Sequence, residues 1–165
     1  MNTITIIKAS TETVQAKMKM AYEILDPRLD ELEFKQATEG SAGFDLRAVL
    51  DEPLTLQPNE VKLIGTGIKI QMPYTNMAAM ILPRSGLGHK DGIVLGNLVG
   101  LIDSDYTGEL KISCWNRSSV SYTVNPMDRI AQLIFVPVFH IDMVRGRVSD
   151  NASRGDKGFN STGTK

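Results

Sequence analysis

The chain has 165 residues, enough for one hydrophobic core and too few for two comfortable ones. Its 18 basic side chains against 19 acidic ones leave a formal net charge of −1, so no global field draws it to nucleic acid, a membrane or a strongly acidic protein. The single cysteine, Cys114, excludes an internal disulfide and a cysteine metal cluster, and the lack of a signal-like leader or membrane-length apolar run points to a cytoplasmic protein.

Residues 10–20, rich in Thr, Glu, Gln, Lys and Met, have a helical composition. Short β-rich runs follow: Tyr22–Leu25, Gly43–Ala48, Val61–Ile64, Gly67–Gln71, Met77–Leu82, Leu110–Trp115, Val120–Val124 and Ile130–Val136. Turn formers punctuate them at Asp26-Pro27, Glu52-Pro53, Gln57-Pro58-Asn59, Met72-Pro73 and Asn125-Pro126-Met127-Asp128. This spacing predicts an all-β barrel or sandwich, with one short helical stretch after Pro83. Cys114 lies in the alternating run Leu110–Trp115, where a buried, inert thiol is expected. Ala131–Phe139 is apolar with little alternation, as in a strand buried on both sides or at a subunit contact, and oligomerisation would cover it.

From Ser149 to Lys165 the chain turns polar and glycine-rich, and composition alone reads it as a disordered tail. Phe159, set between Gly158 and small polar residues and close to Arg154, gives that tail one stacking ring and one phosphate-binding cation. A flap that orders on a ligand would be built this way. The chain thus divides into an extension of unassigned role (1–20), a β domain (21–148) and a C-terminal flap (149–165).

Two internal segments could carry chemistry. Pro83-Arg84-Ser85-Gly86-Leu87-Gly88 follows a strand, and a glycine-bearing turn entering a short helix can aim backbone N–H groups at an anion, with Arg84 and Ser85 adding a cation and a hydroxyl; an ordinary turn has the same composition. Gly96–Gly108 reads as a hairpin whose apolar arms meet near Gly100, where glycine permits close approach to a flat ligand. Asp103 ends an apolar arm, a place where partial desolvation and a nearby triphosphate would strengthen it as a general base. The alternatives there are turn hydrogen bonds for Asp103 and Asp105 and plain packing for Tyr106. His89 and His140 have no neighbours at metal-ligand spacing, so no zinc site is expected.

Five segments in order resemble the five motifs of the trimeric dUTPase family: Ser41–Ala48, Pro83–Gly86, Gly96–Gly108, Arg129–Leu133 and Arg154–Gly163. The similarity spans roughly residues 21–163, and Met80–Asp105 looks especially like the bacterial branch. The resemblance implies a jelly-roll-like distorted β barrel in a homotrimer, with active sites at subunit boundaries and the C-terminal flap exchanged onto a neighbour's site. It implies hydrolysis of dUTP to dUMP and pyrophosphate, which limits uracil incorporation into DNA and supplies dUMP for dTMP synthesis. Asp103 would activate the water that attacks the α-phosphorus. Backbone groups around Leu101, Ile102 and Lys111 and the Asn97 amide would read the uracil edge and leave cytosine unpaired. Tyr106 would pack on the deoxyribose, and Phe159 would stack on the base, a contact worth about 1–3 kcal/mol by analogy with other base-stacking proteins. Arg84, Ser85, Gly86, Gln132 and Arg154 would hold the phosphates. Mg2+ would be carried chiefly by phosphate oxygens and waters, with Asp45 touching it through water.

The chain departs from the family pattern at Lys157 and Asn160, where glycine is usual, and at Phe44, where leucine is commoner. Asparagine tolerates left-handed backbone geometry, so closure of the flap is still expected. A dCTP deaminase on the same barrel would need a glutamate near Ser113 as its proton shuttle. A dUTP-sensing regulator would bind without turnover, and a protein-binding role for residues 1–20 stays open.

Overall fold

The computed structural model describes residues 18–148. Eleven strands account for nearly all its regular structure: β1 Ala21–Ile24, β2 Phe44–Arg47, β3 Leu54–Leu56, β4 Val61–Gly65, β5 Ile68–Gln71, β6 Met77–Pro83, β7 Ile93–Leu95, β8 Gly100–Ile102, β9 Lys111–Asn116, β10 Tyr122–Val124 and β11 Arg129–Pro137. They form four antiparallel sheets, β2-β11-β6-β8, β4-β9-β7, β1-β5 and β10-β3, around one core. The result is the distorted, jelly-roll-like barrel expected from the sequence.

Period-two patterning explains which faces turn inward. In β9, Ile112, Cys114 and Asn116 are buried while Lys111, Ser113 and Trp115 point outward. Leu46, Leu56, Ile64, Ile81, Ile93, Leu95, Leu110, Ile112 and Leu133 are all under 2% or at 2% exposed, each stabilising the fold by about 1.5–3 kcal/mol relative to exposure. Buried Asn116 is fully engaged: its amide donates to the carbonyls of Leu56 (3.0 Å) and Val120 (2.7 Å), and its oxygen accepts from Ser118. Cys114 is buried as expected, and desolvation pushes its thiol up to about 11.

All eight strands read from the sequence are present, while β3 and β7, three residues each, were too short for their patterning to stand out. The helical stretch after Pro83 is one tight turn, with Gly88 N–H donating to Arg84 O at 2.9 Å, continuing as a π-helical turn over Leu87–Asp91. The helical composition of residues 10–20 falls largely outside the described residues.

The Gly96–Gly108 hairpin needs correction, because its two arms do not pair with each other. Residues 96–99, the first arm, form turns, with Val99 N–H donating to Asn97 O at 2.7 Å, while the second arm is β8, which pairs with β6; the segment thus crosses from the sheet of β7 to that of β8. The open edge of β6 supplies the second arm with a longer apolar partner than its own neighbour could. Leu98 makes the crossing in the left-handed region, with φ of 65°.

β11 is the central strand of the largest sheet, flanked by β2 and β6, and its first half is buried. Its second half is covered less well: Phe135, Val136 and Pro137, with Met18, Tyr74, Asn76 and Met77, line an open apolar groove of about 460 Å³. The chain then runs on without strand structure through Phe139, Ile141, Met143, Val144 and Val148, all exposed, Met143 by 90%. That is a large apolar surface for a lone chain to leave in water.

Candidate active site

At one end of the large sheet a cleft of about 580 Å³ is lined by Ser41, Ala42, Gly43, Asp45, Arg84, Ser85, Gly86, Arg129 and Gln132, among others. Three segments distant in sequence meet here because β11 lies between β2 and β6. Gln132 pairs with Asp45 on one side and Leu82 on the other. Its amide donates to Pro83 O at 2.9 Å, and a Cβ on Gly43 would come within 2.8 Å of its Oε1, so only glycine leaves that side chain its place.

Asp45 organises the charge. Its Oδ1 lies 2.9 Å from Arg84 Nε and its Oδ2 accepts from an Arg129 guanidinium N–H at 3.0 Å. Arg84 also donates to Arg129 O, at 3.3 Å. Two cations around one carboxylate leave a net positive cleft, with both guanidinium groups part-exposed and oriented before any ligand arrives. Ser85 and Gly86 form its rim. Gly86 has ordinary helical angles (φ −64°, ψ −48°), and a Cβ there would meet nothing within 4 Å. Neither conformation nor packing among the described residues calls for glycine there.

Arg129 was absent from the phosphate-binding residues expected from the sequence, for a structural reason. Positions 129 and 132 have opposite parity, and in a regular strand their side chains would face opposite ways. A bulge between Arg129 and Ala131 shifts the register and brings both to one cleft.

The remaining expected residues lie elsewhere. Asn97, Leu101, Asp103 and Tyr106 are exposed and Ile102 is half-buried along β8 and the loops on either side of it, and exposed Lys111 opens β9. Asp103 uses its backbone carbonyl to accept from Tyr106 N–H at 3.1 Å, while its carboxylate has no hydrogen bond among the described residues. The turn is therefore closed without the side chain. Tyr106 lies over Gly108, where a Cβ would sit 2.6 Å from its hydroxyl, and donates to Glu109 O at 2.9 Å. Arg154 and Phe159 lie outside the described residues.

Strand register measures the gap between the two groups. Asp103 follows Ile102, which pairs with Ala79, whereas Asp45 sits level with Leu82 and three strands away. With about 3.3 Å per residue along a strand and about 4.8 Å between strands, the backbones at Asp103 and Asp45 are roughly 20 Å apart.

Among the described residues no three His, Cys, Asp or Glu side chains converge to hold a metal ion. Each Asp45 oxygen accepts one guanidinium contact and keeps a second lone-pair direction, so the cleft suits a hydrated magnesium ion brought in on phosphate and touched through water. No helix among the described residues is long and apolar enough to cross a membrane.

An all-β barrel that holds two arginines in a cleft beside a glycine-bearing turn has the donor set of an anion-binding protein. The dUTPase family model matches residues 33–163, and the chain belongs to the dUTPase family. It is 56% identical over 146 residues to the deoxyuridine 5'-triphosphate nucleotidohydrolase of Paraburkholderia phymatum, covering 88% of this chain and 99% of that one. The protein of the same description from Idiomarina loihiensis is 60% identical over 127 residues, 77% of this chain and 84% of its own length. A dUTPase of Staphylococcus bacteriophage 80alpha, solved with dUpNHpp, shares the fold with a TM-score of 0.77 at 23% identity, covering 89% of this chain and 99% of that one.

Proposed function

We infer that this chain is a dUTP diphosphatase that works as a homotrimer, with each active site assembled from more than one subunit. The observation that carries the shared site is the strand register, which sets the Asp103 backbone roughly 20 Å from that of Asp45 in the arginine cleft of the same chain. A general base has to lie within hydrogen-bond reach of its water, and that water against the phosphorus, while the arginines grip the same triphosphate. One subunit cannot do both at one nucleotide. A neighbour that brings its cleft to the Asp103 loop satisfies the geometry, and it covers the apolar surface left by Phe139 to Val148.

In the assembled site, the loop and strand around Asn97, Leu101, Ile102 and Lys111 read the uracil edge, and Tyr106 packs on the deoxyribose. Arg84, Ser85, Gly86, Arg129 and Gln132 hold the phosphates. Asp103 takes a proton from a water; the water oxygen bonds to the α-phosphorus, and the bond from that phosphorus to the oxygen bridging the α- and β-phosphates breaks. Pyrophosphate leaves with the bonding pair, its charge met by the two guanidinium groups. Magnesium, when bound with the nucleotide, neutralises phosphate charge and aligns the in-line displacement. Arg154 and Phe159, on a flap formed by residues 149–165, are assigned to the phosphates and the base face. With its one cysteine a free thiol, the chain suits a reducing compartment, and we place it in the cytoplasm.

Mixing two inactive variants tests the shared site. Asp103→Asn and Arg84→Ala subunits, each inactive alone, should regain activity after mixed refolding, because about a quarter of randomly assembled sites receive both intact groups from different chains. No recovery in mixed trimers would place both groups in one subunit's site and overturn this reading.

A further inference from the structure

Glu109 lies just beyond the loop that carries Asp103 and Tyr106, and it has no part in the reaction as described. Its contacts are nonetheless all with the nucleoside side of the site and with the turn that supports it. Its Oε1 accepts from Gly67 N–H at 3.0 Å, its Oε2 lies 3.7 Å from Lys111 Nζ, and its backbone carbonyl accepts the Tyr106 hydroxyl at 2.9 Å. The carboxylate is only about a quarter exposed. A Cβ on Gly65 would fall 2.6 Å from Glu109 Oε1, so the β4–β5 turn has an open place that this carboxylate fills. Gly67 holds a left-handed conformation there, with φ of 64°, which aims its N–H at the carboxylate. Next door, buried Thr66 donates its hydroxyl to Leu110 O at 2.7 Å, and Leu110 N–H donates to Ile68 O at 2.8 Å. The exit of the loop is thus pinned residue by residue to the β4–β5 turn.

We propose that Glu109 is a positioning residue for sugar selection, fixing the height of the Tyr106 ring and the direction of Lys111 by anchoring the loop to Gly67. The proposal rests on the reading that Tyr106 packs against the deoxyribose. Because the Tyr106 hydroxyl is spent on Glu109 O, the ring's distance from a bound nucleoside follows the Glu109 backbone, and that backbone is held by its own side chain. Asp103 belongs to the same unit through its turn bond with Tyr106. Selection between dUTP and UTP depends on the fit of one hydroxyl, so a small displacement of the ring alters it before binding of dUTP is lost.

The test compares kcat/KM for dUTP and UTP, with kcat and KM for dUTP measured separately. Glu109→Ala should raise relative activity on UTP about tenfold and raise KM for dUTP with little change in kcat. Glu109→Gln keeps an oxygen for Gly67 N–H and should hold selectivity within about twofold. Glu109→Asp keeps the charge but falls one methylene short of Gly67, and should relax selectivity like the alanine; it also serves if the alanine variant does not fold. Tyr106→Ala separates the two levels. If it relaxes selectivity while folded Ala or Asp variants at 109 do not, Glu109 has no positioning role and the Tyr106 reading stands. If Tyr106→Ala leaves UTP excluded, the reading of Tyr106 falls and the proposal with it. Loss of selectivity in Glu109→Gln equal to that in Glu109→Ala would also overturn it, since the Gly67 contact would then not be the operative one.

Discussion

The arginine cleft and the Asp103 loop differ in how complete each is within one chain. In the cleft, Asp45, Arg84 and Arg129 contact one another at 2.9–3.3 Å, Gln132 is held by the Pro83 carbonyl, and three strands keep them in register. In the loop, Asp103, Asn97 and Leu101 project from backbone that is tied down while the side chains have little to touch. Phosphate binding needs several donors converging on one anion, which a single sheet can supply. Base recognition and water activation need an enclosed space, which the homotrimer we propose would supply from a second subunit.

The sharpest way to separate the two regions is Asp103→Asn. Turnover should fall by about a thousandfold, within the range for a lost general base, while dUTP affinity measured by calorimetry stays within about twofold. Comparable loss of binding would assign Asp103 to the nucleotide's anchorage instead of its hydrolysis. Arg129→Ala attacks the other region. Loss of a charge-assisted contact to phosphate should raise KM about ten- to a hundredfold, and Asp45 would keep only Arg84. Raising ionic strength should weaken dUTP binding by the parent protein more than by this variant. An unchanged KM would leave the cleft as a structural ion-pair network.

These two regions were also unequally legible in the sequence. Strands with strong alternation such as β9, and the buried β11, were readable because period-two patterning and apolar runs report burial directly. The short β3 and β7 carry too few residues for a period, and the pairing of β8 with β6 depends on which edge is open in three dimensions. Motif order identified Arg84, Gly86 and Gln132 as phosphate-side candidates, and the structure gathers them. Arg129 needed a bulge to reach the same cleft, and a bulge leaves no mark on composition. Asp45, expected to touch magnesium through water, also holds two arginines, a role set by long-range register.

A smaller effect is expected at Gly86. Its helical angles and open surroundings mean that Gly86→Ala should leave the fold intact or stabilise it by about 0.5 kcal/mol, through reduced freedom of the unfolded chain. KM for dUTP should nonetheless rise about tenfold if phosphate approaches the backbone closely there. A stabilised variant with normal KM would mean that glycine at this position answers no ligand.

Leu98 poses the inverse problem in the loop. The backbone there, with φ of 65°, favours glycine, yet the chain carries a leucine whose side chain is 71% exposed. A left-handed leucine costs roughly 1 kcal/mol, and nothing it touches within the chain offsets that. Gly86 lacks a side chain where this chain has room for one, and Leu98 carries one where its backbone favours none, so each position tests for a contact from outside the chain. Leu98→Gly should therefore leave the melting temperature of separated subunits unchanged or slightly higher while weakening subunit association, read as a shift in the concentration dependence of trimer formation by sedimentation. If assembly is unaffected and only turnover falls, the leucine packs on the nucleotide instead of the neighbour, and the loop would owe its enclosure to substrate.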